Sequence, residues 1–136
     1  MVDVSAKPTQ WREAVASGRI ELSPQTVSLI QQNQITKGDV LATARLAGIM
    51  AAKKTADLIP LCHPLALTHV AVDFEWLDDP SALVLHGAAR TQGPTGVEMD
   101  ALTAVTIAAL SIYDMCKAVD QEMRITDVTL VSKTKR

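Results

Sequence analysis

The chain has 136 residues, of which 48% are apolar and 21% are charged, and its formal net charge is −2. A chain of this length is expected to form one domain that buries roughly two-thirds of the surface exposed in its unfolded state. The negative charge and the aromatic content of only 3% argue against a basic nucleic-acid surface or a base-stacking platform. We therefore predict a single domain, residues 1–136, that does not bind nucleic acid.

The cysteines and the lengths of the apolar runs indicate where in the cell the protein is located. Cys62 and Cys116 are far apart in the sequence and neither belongs to a CxxC pair. The first ten residues contain no apolar signal-peptide core. The longest uncharged helical stretch, residues 101–113, is shorter than the ~20 residues needed to cross a bilayer. These features predict reduced thiols, a cytoplasmic location and no membrane-spanning segment.

The first half of the chain predicts a strand followed by two helices. The run AVASGRIEL, residues 14–22, is typical of an extended segment. Ser23 followed by Pro24 is typical of a helix N-cap and first turn, and this helix is expected to continue to about Gln32. After Lys37 and Gly38, the sequence DVLATARLAGIMAAKKTA predicts a second helix. Its small residues at positions 44, 47, 48, 51 and 52 favour one side, which we expect to be buried.

The second half predicts a hairpin, a long helix and a last strand. VAVDFEW, residues 70–76, alternates apolar and polar residues; LDDPS is a turn, and ALVLHGAART is the returning strand. Thr95 and Glu98 have the spacing of a capping box for a helix from Val97 to about Gln121, and RITDVTLVSK is extended. This order predicts an α+β fold, a ferredoxin-like antiparallel sheet with helices packed on one face.

The segment LIPLCHPL, residues 58–65, has Cys62 and His63 between two prolines. Each proline fixes its own φ and restricts the residue before it, so the segment is expected to be stiff and extended. Adjacent side chains of an extended segment point to opposite faces, which disfavours a nucleophile–base pair of Cys62 with His63. Because the histidines and cysteines show neither HxxxH nor paired CxxC spacing, we predict no metal site.

One pair of charged residues and two single charged residues have two interpretations each. Asp114 and Lys117 are three residues apart on the long helix, so they form either an ordinary ion pair or a desolvated pair. In the second case, burial lowers the pKa of the lysine and the pair exchanges protons near neutral pH. Glu98 is either part of the capping box or part of an anion site at the helix start. Lys37 is either a surface lysine or a phosphate-directed charge before the second helix.

Four blocks of sequence carry a resemblance that is more specific than any single motif: MVDVSAK, KGDVLATARLAGIMAAKKTADLIPLCHPL, TGVEMDALTAV and AALSIYDMCKAVD. They resemble the cyclic pyranopterin monophosphate synthase family, MoaC, in the family's order from residue 1 to about residue 133. The family acts in molybdenum cofactor biosynthesis. It rearranges 3′,8-cyclo-7,8-dihydroguanosine triphosphate to a pterin with a fused pyran ring and a cyclic phosphate, and it releases pyrophosphate.

The resemblance also implies an assembly and a set of roles. It implies a hexamer of three dimers with pockets at subunit interfaces, and no cofactor apart from Mg²⁺ that accompanies the triphosphate. Asp114 matches the catalytic residue, and Lys37 and Lys117 match acid–base and phosphate-contacting lysines. The implied substrate-binding residues are Leu61, Cys62, His63, Glu98, Met99 and Asp100, together with the cations Lys7, Arg12 and Lys133. Asp100 stands where the family has glutamate, so its carboxylate is one methylene shorter.

The alternative function is a non-catalytic ferredoxin-like module that binds a nucleotide or a small anion. The architecture alone does not exclude it, because this fold hosts many functions. Asp114 and Lys117, with Lys37 and His63, provide more acid–base capacity than anion binding requires. The sequence therefore favours an enzyme.

Overall fold

The computed structural model describes residues 1–136 as four strands and four helices. In chain order they are β1 (Gln10–Glu21), α1 (Pro24–Gln31), α2 (Val40–Ala52), α3 (Thr55–Leu58), β2 (Leu67–Asp78), β3 (Ser81–Gly93), α4 (Glu98–Cys116) and β4 (Arg124–Lys135). The strands form one sheet in the order β2-β3-β1-β4, and every neighbouring pair is antiparallel. The predicted α+β fold is confirmed, and the strand order is compatible with a ferredoxin-like arrangement.

The core lies between the sheet and the helices α2 and α4. Every second residue of β1 from Arg12 to Ile20 is buried, as expected of a strand with one covered face. Helix α4 contributes much of the core, because Ala101, Ala104, Ala108 and Ile112 are fully buried. This helix therefore packs along the covered face of the sheet.

The small residues of α2 allow it to pack closely on α4. Ala44, Gly48 and Ala52 are buried, whereas the small residues at positions 47 and 51 are half-buried. A Cβ atom at Gly48 would lie 2.7 Å from the carbonyl oxygen of Ala104 and 3.1 Å from a methyl group of Val72. The predicted burial of this side is confirmed for Ala44, Gly48 and Ala52. The missing side chain at Gly48 allows the two helices to approach closely.

The first two helix starts agree with the sequence analysis. Ser23 is the N-cap of α1, and its side-chain oxygen accepts a hydrogen bond from the backbone N–H of Thr26 at 3.1 Å. Asp39 is the N-cap of α2 and accepts from the N–H of Ala42 at 3.1 Å. The predicted continuation of this helix through position 56 is wrong, because α2 ends at Ala52 and α3 begins at Thr55. The Thr55 hydroxyl donates to the Ala52 carbonyl at 2.9 Å, which satisfies one of the final carbonyls.

The predicted start of the long helix, Val97, lies one residue before the observed one, but its predicted cap and its predicted end are wrong. Helix α4 begins at Glu98 with Val97 as its N-cap, and no side chain caps it, so the capping box does not form. It ends at Cys116 instead of about Gln121, because the chain turns after Lys117. By length and composition α4 would be able to span a membrane, but half of its most apolar window is buried in the fold. It is the central core helix of this domain.

Candidate active site

Lys37, Asp114 and Lys117 form what we call the lysine–aspartate cluster. Lys37 lies in the loop before α2, Asp114 is in the last turn of α4, and Lys117 is the residue that ends that helix. Lys37 Nζ donates to Asp114 Oδ2 at 2.7 Å, and Lys117 Nζ donates to Asp114 Oδ1 at 2.8 Å. Each carboxylate oxygen therefore holds one ammonium group, and the predicted i,i+3 ion pair is confirmed.

The charges of this cluster are mutually stabilised. Hydrogen bonds from Lys117 and then from Lys37 lower the pKa of Asp114 to about 2. The same contact with Asp114 raises the pKa of Lys117. Of the two interpretations of this pair, the desolvated one, in which burial lowers the pKa of the lysine, is wrong, because the Lys117 side chain is 59% exposed and has a carboxylate beside it. At neutral pH the cluster therefore holds two ammonium groups and one carboxylate, which suits an anionic ligand.

A cleft of about 320 Å³ lies at the other end of α4, and we call it the Glu98 cleft. Its charged lining residues are Lys7, Arg12, Glu13, Glu98, Lys133 and Lys135. Lys133 Nζ donates to Glu98 Oε1 at 3.1 Å. Burial raises the pKa of Glu98, but its own backbone N–H, Lys133 and Arg12 outweigh burial and lower it. Glu98 is thus an anion inside a mostly cationic cleft.

The loop before α4 is held in place by Arg12 of β1. Arg12 is 9% exposed; its Nε donates to the Gly93 carbonyl at 3.1 Å and its Nη2 to the Pro94 carbonyl at 3.3 Å. A Cβ atom at Gly96 would collide with the Glu98 carboxylate. Glycine at this position therefore lets the side chain of Glu98, the first residue of the helix, fold back over the loop. The sequence had indicated that Glu98 forms a capping box with Thr95 instead.

The Leu61–His63 segment lines a second cleft, of about 470 Å³, which shares Thr95, Gly96 and Glu98 with the first. His63 Nε2 donates to the Val2 carbonyl at 2.6 Å, and the Cys62 thiol points to the His63 carbonyl at 3.8 Å. The two side chains do not pair, as predicted. Burial, followed by the charges of Asp100 and Glu98, raises the pKa of Cys62, so this thiol is protonated at neutral pH.

Asp100 is a buried carboxyl group beside this second cleft. It is 4% exposed, and its Oδ2 atom has no hydrogen-bond partner. Burial is the main cause of its raised pKa; its own N–H and Thr55 oppose the shift, and Glu98 adds to it. An unpaired buried carboxylate oxygen is costly, so the surroundings of Asp100 favour its protonated form.

The predicted site residues fall into two groups within one chain. Lys37, Asp114 and Lys117 lie at the C-terminal end of α4. The other group surrounds the N-terminal end and consists of Lys7, Arg12, Leu61, Cys62, His63, Glu98, Met99, Asp100 and Lys133. At 1.5 Å per residue, Glu98 and Asp114 are about 24 Å apart along the helix. One chain therefore does not bring the two groups together.

The sequence analysis did not identify four residues that line the Glu98 cleft: Glu13, Gly96, Thr134 and Lys135. Lys135 lines it, and the signal was present, because residues two apart on a strand share a face and Lys133 had already been identified. Gly96 had no signal of its own, because its contact with Glu98 depends on how the Glu98 side chain folds back over the loop.

Both groups of predicted site residues lie in the part of the chain that matches known proteins. The model of the MoaC family matches residues 1–136. A protein of Roseiflexus sp. (strain RS-1) with the name cyclic pyranopterin monophosphate synthase is 58% identical over 134 residues, which are 98% of this chain and 85% of the relative. Proteins of the same name from Chloroflexus aurantiacus and Rhodospirillum rubrum are each 57% identical over 98% of this chain, and over 82% and 81% of their own lengths.

Proposed function

Because the chain belongs to the MoaC family, we propose that it acts as a cyclic pyranopterin monophosphate synthase, a lyase of molybdenum cofactor biosynthesis. The reaction converts 3′,8-cyclo-7,8-dihydroguanosine 5′-triphosphate to cyclic pyranopterin monophosphate and releases diphosphate. The observation that carries the proposal is the family match across residues 1–136, with curated relatives 53–58% identical under this name.

The Glu98 cleft is proposed to bind the substrate. A triphosphate needs several cations, and in a chain of net charge −2 they must be gathered locally. Lys7 and Lys133 line the cleft, while Arg12 holds its loop and adds positive charge. Asp100 lacks one hydrogen-bond partner, and the N–H groups of a purine-derived base suit it. Leu61, Cys62, His63, Glu98 and Met99 complete the proposed binding surface.

The lysine–aspartate cluster is proposed to carry out the proton transfers. Opening the five-membered ring and closing the pterin ring require protons on and off nitrogen and oxygen. Lys37 and Lys117 are protonated donors bonded to one carboxylate. Asp114 raises the pKa of Lys117, so this lysine is held as a proton donor, and a lysine acting as base must first pass its proton on. Cyclisation also requires a sugar hydroxyl held in line with the α-phosphorus while cations stabilise the departing diphosphate.

We further propose that the active unit is a homo-oligomer, a cytoplasmic hexamer of three dimers with its sites between copies. The support is the separation of about 24 Å along α4, which is longer than one nucleotide triphosphate. A neighbouring copy that brings its lysine–aspartate cluster to the Glu98 cleft would complete a site. The proposal includes no cofactor of the protein's own, and a Mg²⁺ ion that arrives with the triphosphate counts as part of the substrate.

The test is simultaneous measurement of diphosphate release and pterin formation from the cyclised precursor. We expect the wild type to form both products in equal amounts and Lys117→Ala to form neither. Lys54→Ala is the matched control, because Lys54 is 70% exposed and its partner is Asp57, outside both groups. Binding of the precursor by the wild type without any turnover would contradict the synthase and support the anion-binding module.

A further inference from the structure

Asp120, just beyond the C-terminal end of α4, is a buried carboxylate with no part in the groups described so far. It is 7% exposed. Its Oδ2 accepts hydrogen bonds from the Ser23 backbone N–H and the Thr26 hydroxyl, both at 2.9 Å. Its Oδ1 accepts from the Glu122 N–H at 3.2 Å. Ser23 and Thr26 belong to the start of α1, which is 94 to 97 positions earlier in the sequence than Asp120.

This contact connects the two segments that hold the lysine–aspartate cluster. On one side, the N–H groups of Val119 and Asp120 bond to the Cys116 carbonyl at 3.0 and 3.1 Å, so Asp120 is fixed to the end of α4, next to Lys117. On the other side, α1 leads directly into the loop that carries Lys37. Within α1 only Thr26 and Ile30 are buried, so the Asp120 contact is one of few attachments of this helix.

The ion pair of Lys37 with Asp114 is poorly suited to fix its own geometry. Both side chains are about half exposed, at 51% and 52%, and exposed ion pairs are weakened by water and salt. The Asp120 carboxylate, in contrast, is shielded and accepts three hydrogen bonds, which are strengthened by its charge. The buried contact is therefore the stronger of the two links between this segment and α4.

We propose that Asp120 is a positioning residue: by accepting hydrogen bonds from Ser23 and Thr26, it holds α1 against the end of α4 and thereby sets Lys37 beside Asp114. Its effect on catalysis rests on the proposed function. Its effect on the distance between Lys37 and Asp114 does not depend on that function.

The experiment compares three variants of the contact with one control in the full chain. Thr26→Val keeps the shape of the side chain but removes the hydroxyl donor, and Thr26→Ser keeps the donor. Asp120→Asn removes the charge and one acceptor. Val72→Ala, in the edge strand β2, loses apolar contacts at a residue 1% exposed and controls for lost stability alone. Retained circular dichroism and thermal melting establish that each variant is folded.

The first readout is NMR titration of the Asp114 carboxyl group, because its pKa is held low by Lys117 and then by Lys37, and it rises when Lys37 moves away. We expect the pKa of Asp114 to move up from about 2 towards 3.8 in Thr26→Val and Asp120→Asn, and to stay low in Thr26→Ser and Val72→Ala. An unchanged pKa of Asp114 in both Thr26→Val and Asp120→Asn would overturn the proposal, whether or not the wild type turns over the substrate.

The second readout is steady-state kinetics. A misplaced catalytic lysine lowers kcat, and we expect a loss of about tenfold or more in Thr26→Val and Asp120→Asn. KM should stay within about twofold, because the proposed binding residues lie at the opposite end of α4. Thr26→Ser and Val72→Ala should retain kcat. A parallel loss in Val72→Ala would show that stability alone lowers kcat and would overturn the positioning role.

Discussion

Asp100 shows how a single unsatisfied atom sets the response of the protein to pH. Its buried Oδ2 has no partner, and burial raises the pKa of this carboxyl group above its ordinary value of 3.8. We expect Asp100→Asn to increase the free energy of unfolding at neutral pH by about 1–3 kcal/mol, because the amide carries no charge. The gain should disappear below about pH 4, where the carboxyl group is protonated in the unfolded and the native protein alike. Denaturant unfolding at a series of pH values measures it.

The matched control for this prediction is Asp73→Asn. Asp73 is an exposed carboxylate on β2, so its amide variant should change the free energy of unfolding by only a few tenths of a kcal/mol. A loss of stability in Asp100→Asn at neutral pH would show that this carboxylate has a partner in the folded protein. Such a result would contradict the burial argument.

The Lys37 side chain is expected to be needed for product formation but not for folding. Because its side chain is half exposed and its main contact is with Asp114, Lys37→Ala should fold and assemble normally. We expect its product formation to fall by at least about a hundredfold, the usual range for loss of a proton-transfer group. The measurement is pterin formation at saturating substrate, with Lys54→Ala as the control. Unfolding or disassembly of Lys37→Ala would indicate a structural role for this lysine.

At the level of elements, the loop at residues 93–96 and the first turn of α4 act together to orient Glu98. We expect Gly96→Ala to push the Glu98 carboxylate away from Lys133, because the new methyl group would occupy its space. The fold should be retained, since the displaced atoms belong to a flexible side chain. KM for the substrate should rise by about tenfold, the effect of losing roughly one charge-assisted hydrogen bond. Steady-state kinetics and thermal melting measure the two effects.

Gly93→Ala is the control within the same loop. A Cβ atom there would meet Leu65 Cδ2 at 3.4 Å, an ordinary contact distance, and would not touch Glu98. We expect its KM to stay near that of the wild type. Equal KM values for the two alanine variants would mean that the position of the Glu98 carboxylate does not affect substrate binding.

The elements also show what a sequence can predict. The β2–β3 hairpin and the start of α1 have local signals, namely alternating burial and a Ser-Pro cap, and both formed as expected. The limits of α4 depend on distant partners. Arg12 holds the loop before the helix from 81 positions away, and Asp120 bonds to α1 after the helix has ended. No local pattern reveals such contacts, so the capping box and the end near Gln121 were wrong.

In the candidate site, too, local contacts were predicted from the sequence and long-range contacts were not. The pair of Asp114 with Lys117 followed from helical spacing. The contact of Asp114 with Lys37 spans 77 positions, and no pattern in the sequence joined these two residues. The direction of the Lys117 pKa shift was wrong because apolar neighbours in sequence do not determine exposure. That side chain leaves the buried face at the end of the helix.

At the scale of the whole molecule, the decisive feature is the distance between the lysine–aspartate cluster and the Glu98 cleft. We expect Lys117→Ala and Glu98→Ala each to be inactive, because they disable different halves of the proposed site. If each site uses one half from each of two copies, mixed dimers contain one site with both halves intact. Random mixing should then restore about a quarter of wild-type product formation, although each variant alone forms none. The assay is pterin formation by co-expressed, differently tagged chains.

The control pair tests whether recovery depends on the division between the two ends of α4. Lys37→Ala and Lys117→Ala both lie in the lysine–aspartate cluster, so every site of their mixed dimers carries one defect. We expect no recovery from this pair. Recovery from neither pair, in dimers shown to be mixed by their two tags, would mean that one copy holds a complete site. The two ends of α4 would then have to approach each other within a single chain, against the rigidity of a buried helix of 19 residues.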